Sequence, residues 1–203
     1  PYIKHFENRN FECKAIYLKE NMDLKRTFFI DYVNKIKSMA GENDILIGHS
    51  MGGLIVQKVM ESKKVKGGVA ICSAPPKGIK FRNFSMTLYS LKYLPNIIFK
   101  KPFKPSYNFM RKFILNCINE ERAKEIYKGV EAEAPNVAYE LAMNKIEVDE
   151  RKVKDPLLFI AMKDDKASPP QMIKKIAEKY NAEYKLLDGC HWIFEKWENV
   201  AEE

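Results

Sequence analysis

In the first third of the chain, short apolar runs alternate with stretches in which apolar residues recur every three to four positions. The runs over 12–18, 44–48 and 66–74 are rich in β-branched and other apolar residues, which predicts strands. The last two are nearly continuously apolar, as expected when both faces of a parallel sheet are covered. Between the runs, 27–40 and 51–64 have helical spacing. The order strand, helix, strand, helix, strand predicts a parallel α/β sheet.

This alternation stops at Pro76 and resumes after Asp155. The intervening residues show mostly helical spacing, with candidate helices over 84–93, 106–117, 119–129 and 135–144. The pattern then predicts a strand over 156–162, a helix over 169–181, a strand over 182–188 and a final helix from about 192. We therefore expect a core formed by 1–76 and 155–203, with 77–154 inserted as a helical segment over one edge of the sheet.

Composition restricts the class of protein. The chain has 203 residues, of which 46% are hydrophobic, enough for one sizeable domain. No apolar run approaches the roughly 20 residues that span a bilayer, and the first residues lack a signal-peptide apolar region, so we expect a cytoplasmic protein. The four cysteines are widely spaced without a CxxC pair, which favours reduced thiols over a disulfide or zinc framework.

Basic residues are concentrated in the middle of the chain. Residues 73–119 contain nine lysines or arginines, nine aromatic residues and no acidic residue, within a chain of net charge +8. Three interpretations stay open: an amphipathic layer with solvated lysines, a lipophilic substrate cleft with a positive rim, and a nucleic-acid surface. The cleft suits an acyl ester with an acidic head group, or peripheral contact with anionic lipid. Because no recognition motif accompanies the charge, we expect no specific nucleic-acid partner.

The stretch Gly48-His49-Ser50-Met51-Gly52 has the G-x-S-x-G pattern of a serine nucleophile. It lies between a predicted strand and a predicted helix, which is the context that this motif requires. A sharp strand-to-helix turn forces the serine into a strained backbone, and side chains larger than glycine at the two flanking positions are expected to collide with neighbouring elements. The pattern predicts that Ser50 is a nucleophile.

A serine hydroxyl needs an adjacent base, and the chain has three histidines. His5 lies on the first predicted helix, where a surface or boundary position is expected. His49 adjoins Ser50, but its side chain is expected to point to the opposite side of the turn and to pack there. His191 directly follows the last predicted strand, at the carboxyl edge of the sheet where ligands bind in such folds. His191 is therefore the predicted base.

A carboxylate must hold the tautomer of the base. Asp164 and Asp165 both leave the sheet at the end of strand 156–162, one helix-strand unit before His191. Neighbouring residues in such a turn point in different directions, so one is expected to orient the histidine. Asp165 is favoured and Asp164 is the alternative. Asp188 is a further fallback, although its closeness to His191 favours a local turn.

The order Ser50, Asp165, His191, within GHSMGG, DDKASPP and GCHW, resembles the α/β-hydrolase superfamily, in particular its carboxylesterase and lysophospholipase-like members. The resemblance implies a three-layer α/β fold with a mostly parallel sheet and makes 77–154 the helical cap. It implies a serine hydrolase that cleaves carboxylic esters through an acyl-enzyme, with the N–H of Met51 in the oxyanion hole and no metal or organic cofactor.

The resemblance also implies a segment ahead of Pro1. The second oxyanion donor of the family comes from a loop after an early strand, and nothing here matches it. Residues 1–8 read as the end of a helix and resemble the helix that follows that loop. We therefore expect upstream residues that include at least one strand, some downstream residues, and further residues near 19–26.

The substrate is expected to be a small-molecule ester with a lipophilic or acyl-type group. Its predicted cleft is lined by His49, Pro75, Phe81, Phe84 and Trp192. Two alternatives remain from the residues alone. The same triad would serve a thioesterase or an acyltransferase, and a non-catalytic protein of this fold would bind an acyl or lipid ligand in its capped cleft.

Overall fold

Among the residues that the structure describes, the centre of the molecule is a sheet of four parallel strands, which lie side by side in the order in which they occur in the chain. The computed structural model describes residues 1–79, 84–195 and 197–203, with the side chains of all but 84, 85 and 87. The strands are β1 (Ile45–His49), β2 (Gly67–Ile71), β3 (Leu157–Met162) and β4 (Glu183–Leu187). Each was predicted within three residues of its bounds. The parallel α/β class of the fold is confirmed.

Helices connect and flank the strands. The α-helices are α1 (Tyr2–Glu7), α2 (Phe29–Met39), α3 (Met51–Met60), α4 (Phe84–Ser90), α5 (Leu94–Ile98), α6 (Tyr107–Phe109), α7 (Glu120–Lys128), α8 (Pro135–Ala142), α9 (Pro170–Tyr180) and α10 (Trp197–Ala201). A 3-10 turn joins α4 to α5, a π-helical turn over Met110–Ile114 follows α6, and a second 3-10 turn spans Glu150–Lys152. None of the helices among the described residues has the length and apolar character to cross a membrane.

Strand β3 illustrates how both faces of the sheet are covered. Phe159 and Ala161 point to one face, where they pack with residues of α3 and α9. Ile160 and Met162 point to the other, where they pack with Val200 of α10. Because side chains alternate along a strand, a strand buried on both sides must be apolar at every position. The continuous apolar run over 156–162 predicted this strand for the same reason.

Helices α1 and α10 pack against each other on the second face. The hydroxyl of Tyr2 donates to the carbonyl of Ile193 at 3.3 Å, and the Arg9 guanidinium pairs with Glu202 at 2.8 Å. The ring of His5 lies edge-on to Trp197 at 5.5 Å, so His5 occupies the boundary between the two helices.

Two buried apolar clusters join the inserted segment to the core. Val137 of α8 and the following Ile146 belong to the buried cluster of α2 and α3. Met110 and Leu115 form a second cluster against which Trp192, from the loop after β4, is packed. The division of the chain into 1–76 with 155–203 and a cap over 77–154 remains a prediction.

The predicted helix over 106–117 is a short α6 followed by a π-helical turn, and the predicted helix over 51–64 ends at Met60; the largest departures from the predicted elements are at 12–18 and at the last helix. Residues 12–18 were predicted as a strand, but they form neither helix nor strand. A β-branched run becomes a strand only when a neighbour pairs with its main chain, and here the carbonyl of Tyr17 accepts from Lys35 Nζ at 2.8 Å. The last helix begins at Trp197 rather than near 192, and it is preceded by a turn in which Ile193 is buried.

Candidate active site

Ser50 occupies the junction between β1 and α3. Its backbone has φ 54° and ψ −117°, a strained conformation for a residue with a side chain. Main-chain hydrogen bonds hold this turn: the N–H of Ser50 donates to Ile71 O at 2.9 Å, and Ser50 O accepts from Gly53 at 3.0 Å and Ala74 at 2.9 Å. The strain is therefore fixed by bonds to the end of β2 and to the residues after it.

The glycines around Ser50 differ in what they permit. A Cβ on Gly48 would lie 2.2 Å from the carbonyl oxygen of Gly52, so a larger residue cannot fit without moving backbone. A Cβ on Gly52 meets nothing within 4 Å. The expectation that both flanking glycines avoid a collision is correct for Gly48 and wrong for Gly52. The second close approach is at Gly53, where a Cβ would lie 2.8 Å from Ser73.

Ser50, His191 and Asp165 form a continuous hydrogen-bonded chain. Ser50 Oγ lies 2.9 Å from His191 Nε2, and His191 Nδ1 lies 2.8 Å from Asp165 Oδ2. An ionised carboxylate only accepts hydrogen bonds, so Nδ1 carries the proton and donates to it. Nε2 is then free to accept from the serine hydroxyl. The imidazole ring and the carboxylate are buried: 2% of His191 and 4% of Asp165 is exposed.

Asp165 is held as a carboxylate. Burial is the largest single influence on its pKa and raises it, but hydrogen bonds from His191, from the N–H of Ser168 and from the Cys72 thiol outweigh burial and lower the pKa below its ordinary value. The second oxygen, Oδ1, accepts from the N–H groups of Ala167 at 2.8 Å and Ser168 at 2.7 Å. These bonds fix the plane of the carboxylate that faces His191.

The two alternative carboxylates lie elsewhere. Asp164 is exposed; its N–H donates to Gly189 O at 2.8 Å, and its own carbonyl accepts from Asn116. Asp188 forms an ion pair with Lys163 at 2.6 Å. The structure thus brings Asp165 to the histidine and brings neither Asp164 nor Asp188 to it, as expected for neighbours that point in different directions.

His49 contacts the histidine loop instead of pointing away from it. Its Nε2 lies 2.8 Å from the main-chain oxygen of His191, and the two rings are 4.7 Å apart. Because a carbonyl can only accept, Nε2 of His49 donates. The expectation that this side chain packs on the opposite side of the turn was wrong. Burial, and then the charge on His191, lower the pKa of His49 to about 3, so its ring stays neutral.

This neutral ring makes stability depend on pH. A histidine in the unfolded chain has a pKa near 6.5, whereas folded His49 has one of about 3. As the pH falls through this window, the unfolded chain binds a proton that the folded chain cannot, so the free energy of unfolding falls by up to about 1.4 kcal/mol per pH unit. In His49→Gln the amide N–H replaces the donor without titrating, and the slope should flatten. Urea unfolding of both proteins across this window measures it; equal slopes would contradict the assignment.

Cys72 is a further member of the site, and the sequence interpretation gave it no role. It directly follows β2, at the sheet edge that carries Ser50, and its φ of 47° is unusual for a residue with a side chain. Burial, and then the nearby charge of Asp165, raise the pKa of its thiol well above the ordinary value. The thiol is therefore neutral and can donate to Asp165. The feature of the sequence that could have identified Cys72 as a site residue is its position directly after a buried strand.

The predicted cleft residues are only partly described. Met51 is the first residue of α3, where an N–H has no acceptor within its own helix and can point at a ligand. Pro75 is half-buried, and Trp192 lies beside Phe194 with ring centroids 4.8 Å apart. Phe81 lies outside the described residues, as does the side chain of Phe84.

Three of the residues at the site are also potential metal ligands. Ligand atoms of His49, Cys72 and His191 lie within 4.8 Å of one another. Both ring nitrogens of His191 already face Ser50 and Asp165, and Nε2 of His49 faces a carbonyl. A metal ion would have to displace these bonds, so the donor set fits hydrogen bonding better than metal coordination.

The chain matches known proteins over nearly its whole length. The model of the alpha/beta hydrolase family matches residues 20–203. An extracellular alpha/beta-hydrolase from a Paenibacillus species has a TM-score of 0.75 at 17% identity, covering 99% of this chain and 89% of that one. Polyneuridine aldehyde esterase has a TM-score of 0.70 at 18% identity, covering 98% and 89%. The monoacylglycerol lipase of Paleococcus ferrophilus has a TM-score of 0.61 at 22% identity, covering 87% and 74%. No curated protein matches significantly. The chain belongs to the alpha/beta hydrolase family.

Proposed function

We propose that the protein is a serine hydrolase that cleaves carboxylic esters through an acyl-enzyme intermediate. The observation that carries this proposal is the chain of hydrogen bonds from Asp165 through His191 to Ser50, at 2.8 and 2.9 Å. The strained backbone of Ser50 supports it, because strain at a reactive residue persists only where the surrounding structure maintains it.

The first half of the reaction forms the acyl-enzyme. Ser50 Oγ attacks the ester carbonyl carbon while His191 Nε2 takes the hydroxyl proton. The carboxylate of Asp165 stabilises the resulting imidazolium. The N–H of Met51 donates to the oxyanion of the tetrahedral intermediate. When the intermediate collapses, the bond to the alcohol breaks and His191 returns the proton to the leaving oxygen.

The second half releases the acid. His191 Nε2 now takes a proton from water, whose oxygen attacks the acyl carbon. Collapse of this intermediate breaks the bond to Ser50 Oγ, and the proton on His191 restores the serine hydroxyl. The neutral ring of His49 holds the main chain of His191 through one hydrogen bond, without adding a charge beside the imidazolium.

A lipophilic acyl group suits the surroundings of the base. Trp192, next to His191 in the chain, packs with a cluster that contains Met110, Leu115 and Ile118. Apolar walls with a few polar groups are typical of small-molecule sites. The monoacylglycerol lipase and the esterase of similar fold support the ester class.

Labelling with an alkyl fluorophosphonate tests the proposal. The reagent should lose fluoride to Ser50 Oγ and remain attached there, because only an activated serine attacks phosphorus at a useful rate. Mass mapping of peptides locates the label. Ser62→Ala, which removes an exposed serine just after α3, is the matched control and should label normally. Absence of label, or equal labelling of Ser50→Ala, would favour a non-catalytic acyl-binding protein instead.

A further inference from the structure

An apolar stripe runs along one continuous helical stretch of the inserted segment. Helix α4, a 3-10 turn over Leu91–Tyr93 and α5 follow one another without a break from 84 to 98. Large apolar side chains point to solvent at every third or fourth position and at the end of α5: Leu88, Leu91, Leu94, Ile98 and Phe99, which we call the apolar stripe. Their exposed fractions lie between 47% and 69%. Contiguous exposed apolar surface of this kind marks an interaction site.

The stripe ends at a basic hollow. Phe99 is also part of the lining of an open hollow of about 410 Å³ that includes Lys25, Arg26, Lys100 and Lys101. All four cationic side chains are exposed. In the part of the chain that the structure describes, Arg26 has Asp23 within 3.8 Å, whereas the three lysines have no ion-pair partner within 4.0 Å. A positive cluster therefore lies directly beside the apolar surface.

We propose that the apolar stripe and the basic hollow together dock the protein on an anionic lipid surface. The stripe enters the boundary between head groups and acyl chains, and the lysines and arginine of the hollow bind the negative head groups. A helix with an apolar face and flanking lysines lies in the plane of such an interface. This docking needs no hydrolysis and is independent of the function proposed above.

The positive charge of this surface favours an anionic lipid, rather than a second copy of the chain, as its binding partner. Residues 73–119 contain nine basic side chains and no acidic one. If two copies met through this surface, their positively charged lysines would face one another, and this repulsion is unfavourable for association. An anionic membrane offers the opposite charge beside an apolar interior, and each lysine near it strengthens binding about fivefold.

Vesicle flotation tests the docking. The full chain should float with vesicles of equimolar phosphatidylcholine and phosphatidylglycerol and bind at least about tenfold less to phosphatidylcholine alone. Lys100→Gln with Lys101→Gln should weaken binding to the anionic vesicles by about tenfold or more. The matched control is Lys174→Gln with Lys175→Gln, the same charge change on exposed lysines of α9, and it should bind as the wild type does.

The apolar part has its own variant. Ile98→Ser removes a side chain that is 64% exposed, so the core is untouched and thermal melting should be unchanged. Its affinity for the anionic vesicles should fall about tenfold. Three results would overturn the proposal: equal losses in the two lysine pairs, undiminished binding by Ile98→Ser, or a concentration-dependent dimer without vesicles that Ile98→Ser dissociates.

Discussion

Replacement of Asp165 by asparagine is expected to lower the turnover number for ester hydrolysis about 10⁴-fold. The amide oxygen can keep the bonds from Ala167 and Ser168, so the loop should hold its shape. The amide nitrogen then faces His191 Nδ1, and two N–H groups cannot bond to each other. The ring must adopt the other tautomer, with the proton on Nε2, where it can no longer accept the proton of Ser50.

Asp164→Asn is the matched control for this substitution. It removes the same charge one residue earlier, on an exposed side chain that lies outside the hydrogen-bonded chain. Its turnover number should stay within a few-fold of the wild type. Hydrolysis of a p-nitrophenyl ester and the rate of fluorophosphonate labelling measure both variants. A larger loss in Asp164→Asn than in Asp165→Asn would reassign the orienting carboxylate.

Gly48→Ala is expected to destabilise the fold by about 3 kcal/mol or more. The new Cβ would overlap the backbone at Gly52 O, 2.2 Å away, and backbone cannot move aside as a flexible side chain can. The strand end and the first turn of α3 would have to separate. For a chain of this length, the melting temperature should fall by about 10 °C, measured by circular dichroism.

Gly52→Ala separates a local clash from a general need for glycine. Its Cβ meets nothing within 4 Å, and alanine favours a helix over glycine by about 1 kcal/mol. This variant should therefore melt at or above the wild-type temperature. If both substitutions destabilise equally, the turn depends on the freedom of glycine at both positions and the difference in space is irrelevant.

The parts of the fold that could be predicted are those that local pattern determines. Buried strands such as β3 are apolar at every position, and the glycine-serine turn has a spacing of its own. The segment 12–18 could not be predicted correctly, because its conformation depends on what pairs with its main chain. The same holds for the start of α10, which follows a turn with a buried Ile193.

The predictability of the site follows the same division. Residues just after strand ends in a parallel sheet converge at one edge, so Ser50 could be proposed from its motif and position, and His191 from its position among three histidines. The contact of His49 with the main chain of His191 depends on a loop conformation that no local pattern encodes. The interaction of the Cys72 thiol with Asp165 joins residues 93 positions apart in the chain, just beyond the ends of the neighbouring strands β2 and β3.

The contact between α1 and α10 gives the proposed base an unusual dependence. The loop that carries His191 is held at Ile193 by the hydroxyl of Tyr2, a residue from the opposite end of the sequence. Ser50 and Asp165, in contrast, are fixed by bonds within the sheet and its adjoining turns. Partial unfolding that releases α1 would therefore remove one anchor of the histidine loop and leave the bond from His49, while the bonds that fix Ser50 and Asp165 stay in place. Under the proposed function, catalytic activity would thus depend in part on the docking of one short helix, whereas binding of an acyl group would not.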